Sequence, residues 1–263
     1  MTRSDTINVH GVEMYYETHG QGDPLILLHG AMGTIESCFA GLLPLLARAH
    51  TVIAVELQGH GHTPDVPARA LSYEQLARDV AAFIRALELR SVDVVGYSLG
   101  GGVALQLAMT EPTLTRRIVF AGGASYRRDG LHSDMLELPT DEVPDLTGTP
   151  WHDAYVRVAP DPSQWTTLVA KNVALDASFE GWTADQVRGI QVPTMLIIGD
   201  ADIVRPEHTV EMFRLLGGGV NGDLGGVSRS RLAILPGTSH SGVIDRFDWL
   251  APMITDFLDS RRD

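Results

Sequence analysis

Hydrophobic positions along the chain follow two alternating rhythms. Short apolar runs with no polar alternation (Pro24 to Leu28, Thr51 to Leu57, Val92 to Val95, Arg117 to Ala121, Thr194 to Gly199 and Arg231 to Leu235) read as strands covered on both faces, as in a parallel sheet. Between them, Tyr73 to Leu89 carries apolar residues at 73, 76, 77, 80, 83, 84 and 87, the spacing of an amphipathic helix, with Ser72 as its cap. Leu99 to Leu107, Pro206 to Leu216 and Phe247 to Leu258 are predicted helices as well, and Ile35 to Ala47 is a helix interrupted near Pro44. Thr6 to Thr18 alternates about a break at His10-Gly11, which predicts a β-hairpin opening the sheet. The whole is an α/β chain with a mostly parallel, doubly wound, eight-stranded sheet.

The rhythm stops between Gly122 and Gly189. Prolines at 139, 144, 150, 160 and 162 break this stretch into short helical pieces, no strand is evident, and Trp151, Trp165, Trp182, Tyr126, Tyr155 and Phe179 accumulate in it. Helices without strands must pack on something, so residues 123–189 are expected to form a small helical lid with an apolar underside, placed after the sixth strand. Residues 1–122 and 190–263 then make one core domain. Gly217 to Ser230 is rich in glycine and reads as a loop.

Composition narrows the partners. The net charge of −13 over 263 residues disfavours nucleic acid and anionic membrane, since neither would be attracted, and leaves small molecules. No apolar run reaches the roughly eighteen residues of a membrane span, and Met1 to Gly11 does not read as an export signal. The lone cysteine, Cys38, cannot form an internal disulfide and lies in an apolar helical segment, so it reads as a buried, inert thiol in a reducing, cytoplasmic compartment. Monomer and homodimer both stay open.

The chemistry gathers around Ser98. The strand ending at Val95 gives way at once to the helix from Leu99, and Gly96 and Gly100 stand two residues either side of the serine, so its hydroxyl is pushed out of a tight turn. The amino-terminal N–H groups of that helix favour negative charge beside it. A serine is a poor nucleophile unless a base takes its proton and an acid holds that base. In such sheets ligands bind beyond the carboxyl ends of the strands, and Asp200 or Asp202 and then His240 follow later strands at that edge. The order serine, acid, histidine is the one expected of a nucleophile elbow.

With L-I-L-L-H-G, Q-G-H-G-H-T, G-Y-S-L-G-G, L-I-I-G-D-A-D and G-T-S-H in place, nearly the whole chain resembles the α/β-hydrolase superfamily, most closely its small cap-bearing esterases, lactonases and cofactor-free perhydrolases. The resemblance implies Ser98 as nucleophile, Asp202 as the acid in a G-x-x-D pattern, and His240 as the base. It also implies an oxyanion hole made by the N–H groups of Leu99 and Ala31. L-Q-G-H-G-H-T departs from the commoner family form, which has a proline before the first glycine of that loop; the departure touches no catalytic role. The expected reaction is hydrolysis of a small carboxylic ester or lactone through an acyl-enzyme, with perhydrolysis, carbon–carbon hydrolysis or non-catalytic binding as alternatives.

Other residues add less. Met32, Tyr97, Trp151 and Trp165 are the candidate pocket walls. His60 and His62 sit in a tight glycine loop with no clear third ligand and read as structural, so no metal is expected. Gly100-Gly101-Gly102 lacks the spacing of a dinucleotide fingerprint and no phosphate-binding loop motif occurs, so no cofactor is expected.

Overall fold

The computed structural model describes residues 3–139 and 142–260. Its amino-terminal hairpin pairs β1 (Arg3–Val9) with β2 (Val12–His19), and the turn puts His10 at φ 51° and Gly11 at φ 84°. Two successive left-handed residues match the twist of the flanking strands, which is why glycine takes the second position. There follow β3 (Asp23–Leu28), α1 (Ile35–Phe39), α2 (Leu43–Leu46), β4 (His50–Val55), α3 (Tyr73–Ala86), β5 (Val92–Tyr97), α4 (Leu99–Thr110) and β6 (Thr115–Ala121). A helical insertion comes next, with α5 (Ser133–Leu136), α6 (Pro150–Val158), α7 (Trp165–Ser178) and α8 (Ala184–Arg188). The chain closes with β7 (Thr194–Ala201), α9 (Pro206–Leu215), α10 (Gly222–Gly225), β8 (Arg231–Ser239) and α11 (Phe247–Asp259).

The strands lie in the order β1-β2-β4-β3-β5-β6-β7-β8, with β2 antiparallel to both neighbours and every later pair parallel. Period-two alternation divides the core. Leu25 and Leu27 of β3 join Val95, Val119 and Ile197 under Leu46, Leu250, Ile254 and Phe257, whereas Ile26 and Leu28 join Val94, Ile118 and Leu196 under Val80, Phe83, Ile84 and Val103. Both faces are covered, so the strands show no polar side. Each large aliphatic side chain removed from water in this way contributes about 1.5–3 kcal/mol.

Two boundaries differ from expectation for identifiable reasons. Pro44 does not interrupt one long helix; it stands in the first turn of α2, where it has no hydrogen bond to lose. β8 runs on through Pro236 and Gly237 to Ser239, which an edge strand tolerates because one side needs no ladder partner. The insertion contains no strand among the described residues. Tyr155, Trp165, Leu168 and Val169 form a small core of its own, while Leu175, Trp182, Val187 and Ile190 continue the main core beneath α3 and α4. No helix among the described residues is long and apolar enough to cross a membrane.

Candidate active site

Ser98 sits between β5 and α4 at φ 52°, ψ −116°, a backbone state that a non-glycine residue keeps only when its surroundings impose it, at a cost of about 1–3 kcal/mol. Here the surroundings do. The Ser98 N–H donates to the Ala121 carbonyl at 2.9 Å, and the Ser98 carbonyl accepts from the N–H groups of Gly101 and Gly102 at 2.9 and 3.1 Å. A Cβ on Gly96 would stand 2.1 Å from the Gly100 carbonyl oxygen, and one on Gly100 would stand 2.1 Å from that of Leu28. The two glycines are therefore required by close backbone approach.

The loop after β8 carries His240 to the serine. Its Nε2 lies 3.0 Å from Ser98 Oγ and its Nδ1 lies 3.0 Å from Asp202 Oδ1. Because an ionised carboxylate only accepts, Nδ1 holds the ring proton and Nε2 is left to accept from the hydroxyl. The second Asp202 oxygen accepts from the N–H groups of Gly123 at 3.2 Å and Gly199 at 3.4 Å. Burial pushes the Asp202 carboxyl up, but the hydrogen bond and charge of His240, with those two amides, outweigh it and hold its pKa below the usual value.

Asp200, the competing acid, points elsewhere: it accepts from the Thr238 N–H at 3.1 Å and braces the end of β8. Tyr97 does not line the cavity described below. Its ring stacks on His240 with centroids 5.5 Å apart, and its hydroxyl donates to the His240 carbonyl at 3.2 Å, so it supports the histidine from behind.

Ala31 and Leu99 border the same cavity as Ser98 and His240. The loop holding Ala31 is closed by Gly33 N–H donating to the Gly30 carbonyl at 3.0 Å, with Met32 at φ 58°. Two buried side chains anchor it. His29 donates through Nδ1 to the Gly30 carbonyl at 2.8 Å and accepts the Leu57 N–H at Nε2 at 3.0 Å, and Glu56 accepts the Ile35 N–H at 3.1 Å. Burial, with the neighbouring His60, pushes the His29 pKa down to about 3, which keeps it neutral and able to accept. His60 is buried too; it donates to the Gln58 carbonyl at 2.9 Å and lies 3.4 Å from the Asn172 side-chain nitrogen. His62 pairs with Glu56 at 2.9 Å. Among the described residues no three His, Cys, Asp or Glu side chains are grouped to hold a metal. Cys38 is buried, and burial pushes its thiol up to about 11.

A cavity of about 450 Å³ opens over Ser98. Its walls include Tyr73, Phe120, Leu131, Met135, Val173, Phe179, Trp182 and Ile203, with Arg127, Arg128, Glu142 and Asp176 as charged groups. Trp151 and Trp165 are not brought to it. Trp151 is exposed at the surface, and Trp165 packs on Tyr155 inside the insertion, with Met32 against the same cluster. The tryptophan that lines the cavity is Trp182, whose Nε1–H donates to Gln106 at 2.6 Å and whose ring touches Tyr73 and Phe179. Periodicity could not separate these, because core and cavity-facing aromatics recur at the same helical spacing. Gly102 leaves the space that the Tyr73 ring fills, since a Cβ there would lie 2.3 Å from it.

The profile of the alpha/beta hydrolase family matches residues 25–253. The chain belongs to that family. It is 28% identical to the pyrrolizixenacetamide deacetylase of Xenorhabdus hominickii over 76% of this chain and 81% of that protein. It is 27% identical to the 2-hydroxy-6-oxo-6-(2'-aminophenyl)hexa-2,4-dienoic acid hydrolase of Metapseudomonas resinovorans over 98% of this chain and 91% of that one. Among solved structures, a serine hydrolase involved in carbazole degradation superposes with a TM-score of 0.76 at 22% identity, covering 99% of this chain and all of the other, a likeness of fold. The protein is thus a hydrolase of the alpha/beta family on an eight-stranded, mostly parallel sheet with a helical cap.

Proposed function

We propose that this protein is a serine hydrolase that cleaves small carboxylic esters, lactones included, through an acyl-enzyme. The observation that carries this reading is the unbroken run Ser98 Oγ, His240, Asp202, with both contacts at 3.0 Å, on the floor of an apolar cavity. Ser98 attacks the acyl carbon while His240 Nε2 takes its proton, and Asp202 supports the imidazolium that forms. The N–H groups of Leu99 and Ala31 receive the oxyanion, and the positive end of α4 favours the same charge. Collapse expels the alcohol with the proton from His240, which then activates water to release the acid. Every step uses side chains and backbone groups of this chain, and we assign it no cofactor. The substrate is a small molecule, and the free, buried Cys38 suits a cytoplasmic location.

A second reading, hydrolysis of a carbon–carbon bond beside a ketone by the same three residues, is favoured by the Metapseudomonas relative, whose named substrate is a 6-oxo acid. The two separate on turnover. A fluorophosphonate probe should label the native protein and not Ser98→Ala, and p-nitrophenyl butyrate should be hydrolysed. Labelling without hydrolysis of any simple ester or lactone would pass the assignment to the carbon–carbon reading. Equal labelling of Ser98→Ala would end both.

A further inference from the structure

α7 presents a stripe of its surface to the cavity over Ser98. Val173 and Asp176, one turn apart on that helix, line the cavity, and Phe179 at its carboxyl end continues the wall. Asp176 places a charge in an otherwise apolar row. Asp176 is exposed at the cavity, yet the protein packed about its carboxyl pushes its pKa up to about 6 against the pull of the Arg128 and His240 charges.

The donors nearby are spent on other acceptors. Arg128 gives a hydrogen bond at 2.8 Å to the backbone carbonyl of Asp176, not to its carboxylate, and Arg127 pairs with Asp129 at 3.1 Å while lying over the Tyr126 ring. Among the described residues no group donates a hydrogen bond to the Asp176 side chain. The remaining titratable neighbours are Tyr73 on α3, whose phenol burial and the Asp176 charge keep protonated, and Glu142, which lines the same cavity. With no donor from the protein, the exposed carboxylate is served by solvent; a ligand that fills the cavity displaces that solvent, and one that brings a donor of its own makes good the loss.

We propose that Asp176 is the specificity-determining residue of this cavity, accepting a hydrogen bond from a hydroxyl or ammonium group at the end of the substrate that lies beneath α7. This rests on the ester-hydrolase reading and deepens it: the preferred ester carries a hydrogen-bond donor away from the scissile bond. A site built to bond a polar group discriminates against the analogue lacking it far more strongly than a greasy wall does against a missing methylene.

The test compares hexanoyl, 6-hydroxyhexanoyl and 6-aminohexanoyl p-nitrophenyl esters, together with the mirror set of hexyl, 6-hydroxyhexyl and 6-aminohexyl acetates. In at least one set the native enzyme should prefer the polar substrate. In Asp176→Leu the polar-to-plain ratio of kcat/KM should fall by about tenfold or more, since a hydrogen bond to a charged group is at stake. The plain ester should gain, because its chain no longer buries a carboxylate. Asp176→Asn should keep part of the hydroxyl preference and lose the ammonium preference, which tells the two donors apart. As pH falls through about 6 the ammonium preference of the native enzyme should fade. Effects of pH on the chemical step act on both substrates, so the preference is read from the ratio.

Ratios unchanged within about twofold in both variants and both sets, with plain esters still hydrolysed, would overturn the proposal and leave the hydrolase reading intact. If the native enzyme turned over no ester, that reading would fail instead. Binding of hexylamine against hexanol to Ser98→Ala and to Ser98→Ala/Asp176→Leu would then read the same preference without turnover, and equal ratios in the two proteins would overturn it there.

Discussion

The rings of Trp165 and Tyr155 lie 5.4 Å apart, centroid to centroid, inside the core of the helical insertion. That contact, with Leu168 and Val169 around it, takes Trp165 out of the cavity and leaves Trp182 as the tryptophan that lines it. Attaching a long-chain alkyl phosphonate to Ser98 should therefore shift the emission of the native protein and of Trp165→Phe, and leave Trp182→Phe unresponsive.

Trp182 should also read chain length. Each methylene buried against its wall contributes about 0.8 kcal/mol, or roughly fourfold, so Trp182→Ala should flatten the rise of kcat/KM from acetate to hexanoate while changing the rate on acetate least. A length profile identical to that of the native enzyme would place the apolar contact on other residues.

Asp202 and Asp200 both follow β7, but only Asp202 reaches His240. Asp202→Asn should lower kcat by about 10⁴, because the amide favours the wrong tautomer of the histidine. Asp200→Asn should cost at most about tenfold, through a looser end of β8 at Thr238. The opposite ranking, measured on p-nitrophenyl butyrate, would move the acid to Asp200.

The turn that carries Ser98 should be intolerant of one methyl group. Gly100→Ala would bring a Cβ to 2.1 Å from the Leu28 carbonyl oxygen, and backbone on both sides has no room to yield. Overpacking of this kind costs typically 1–3 kcal/mol, and here it also tilts α4 away from β3. An unfolding free energy lowered by that amount in a urea titration, with kcat reduced more than KM is raised, is the expected result. Wild-type stability and rate in Gly100→Ala would mean the backbone relaxes freely.

Much of this was legible in the sequence, and the part that was not is physically uniform. Unalternating apolar runs gave the buried parallel strands because both sheet faces are covered, and the serine between two glycines marked the turn because close backbone approach admits nothing larger. Backbone donors, by contrast, carry no side-chain signature, so the loop around Ala31 rested on a short motif. The cavity wall was hidden for another reason: Trp165 and Trp182 lie in the same insertion with similar neighbours, and only three-dimensional packing tells the cap's own core from its underside. Asp176 was invisible as well, since one acid in a helix of mixed polarity reads as a solvated face until the helix is seen over the pocket.

The loop that carries Ala31 should make the protein acid-labile through two buried histidines. Burial lowers the pKa of His29 to about 3 and that of His60 to about 4, and both rings are wholly inaccessible to solvent. In the unfolded chain each takes a proton near pH 6.5. Between that value and about pH 4 the unfolded state therefore binds more protons, and stability is lost as pH falls, by up to about 1.4 kcal/mol per pH unit for each ring. Asp176, raised to about 6 by burial, and His62, raised by its hydrogen bond to Glu56, work in the other direction because the folded state binds their protons first, but His208, lowered by burial, acts with the two inaccessible rings. The native protein should thus lose urea midpoint steadily from pH 7 to pH 4.5. His29→Gln can still accept the Leu57 N–H and cannot be protonated. It should start lower at pH 7, for want of the bond to the Gly30 carbonyl, and fall less steeply with acid. A slope as steep as that of the native protein would show that His29 is not the group whose protonation opens the fold.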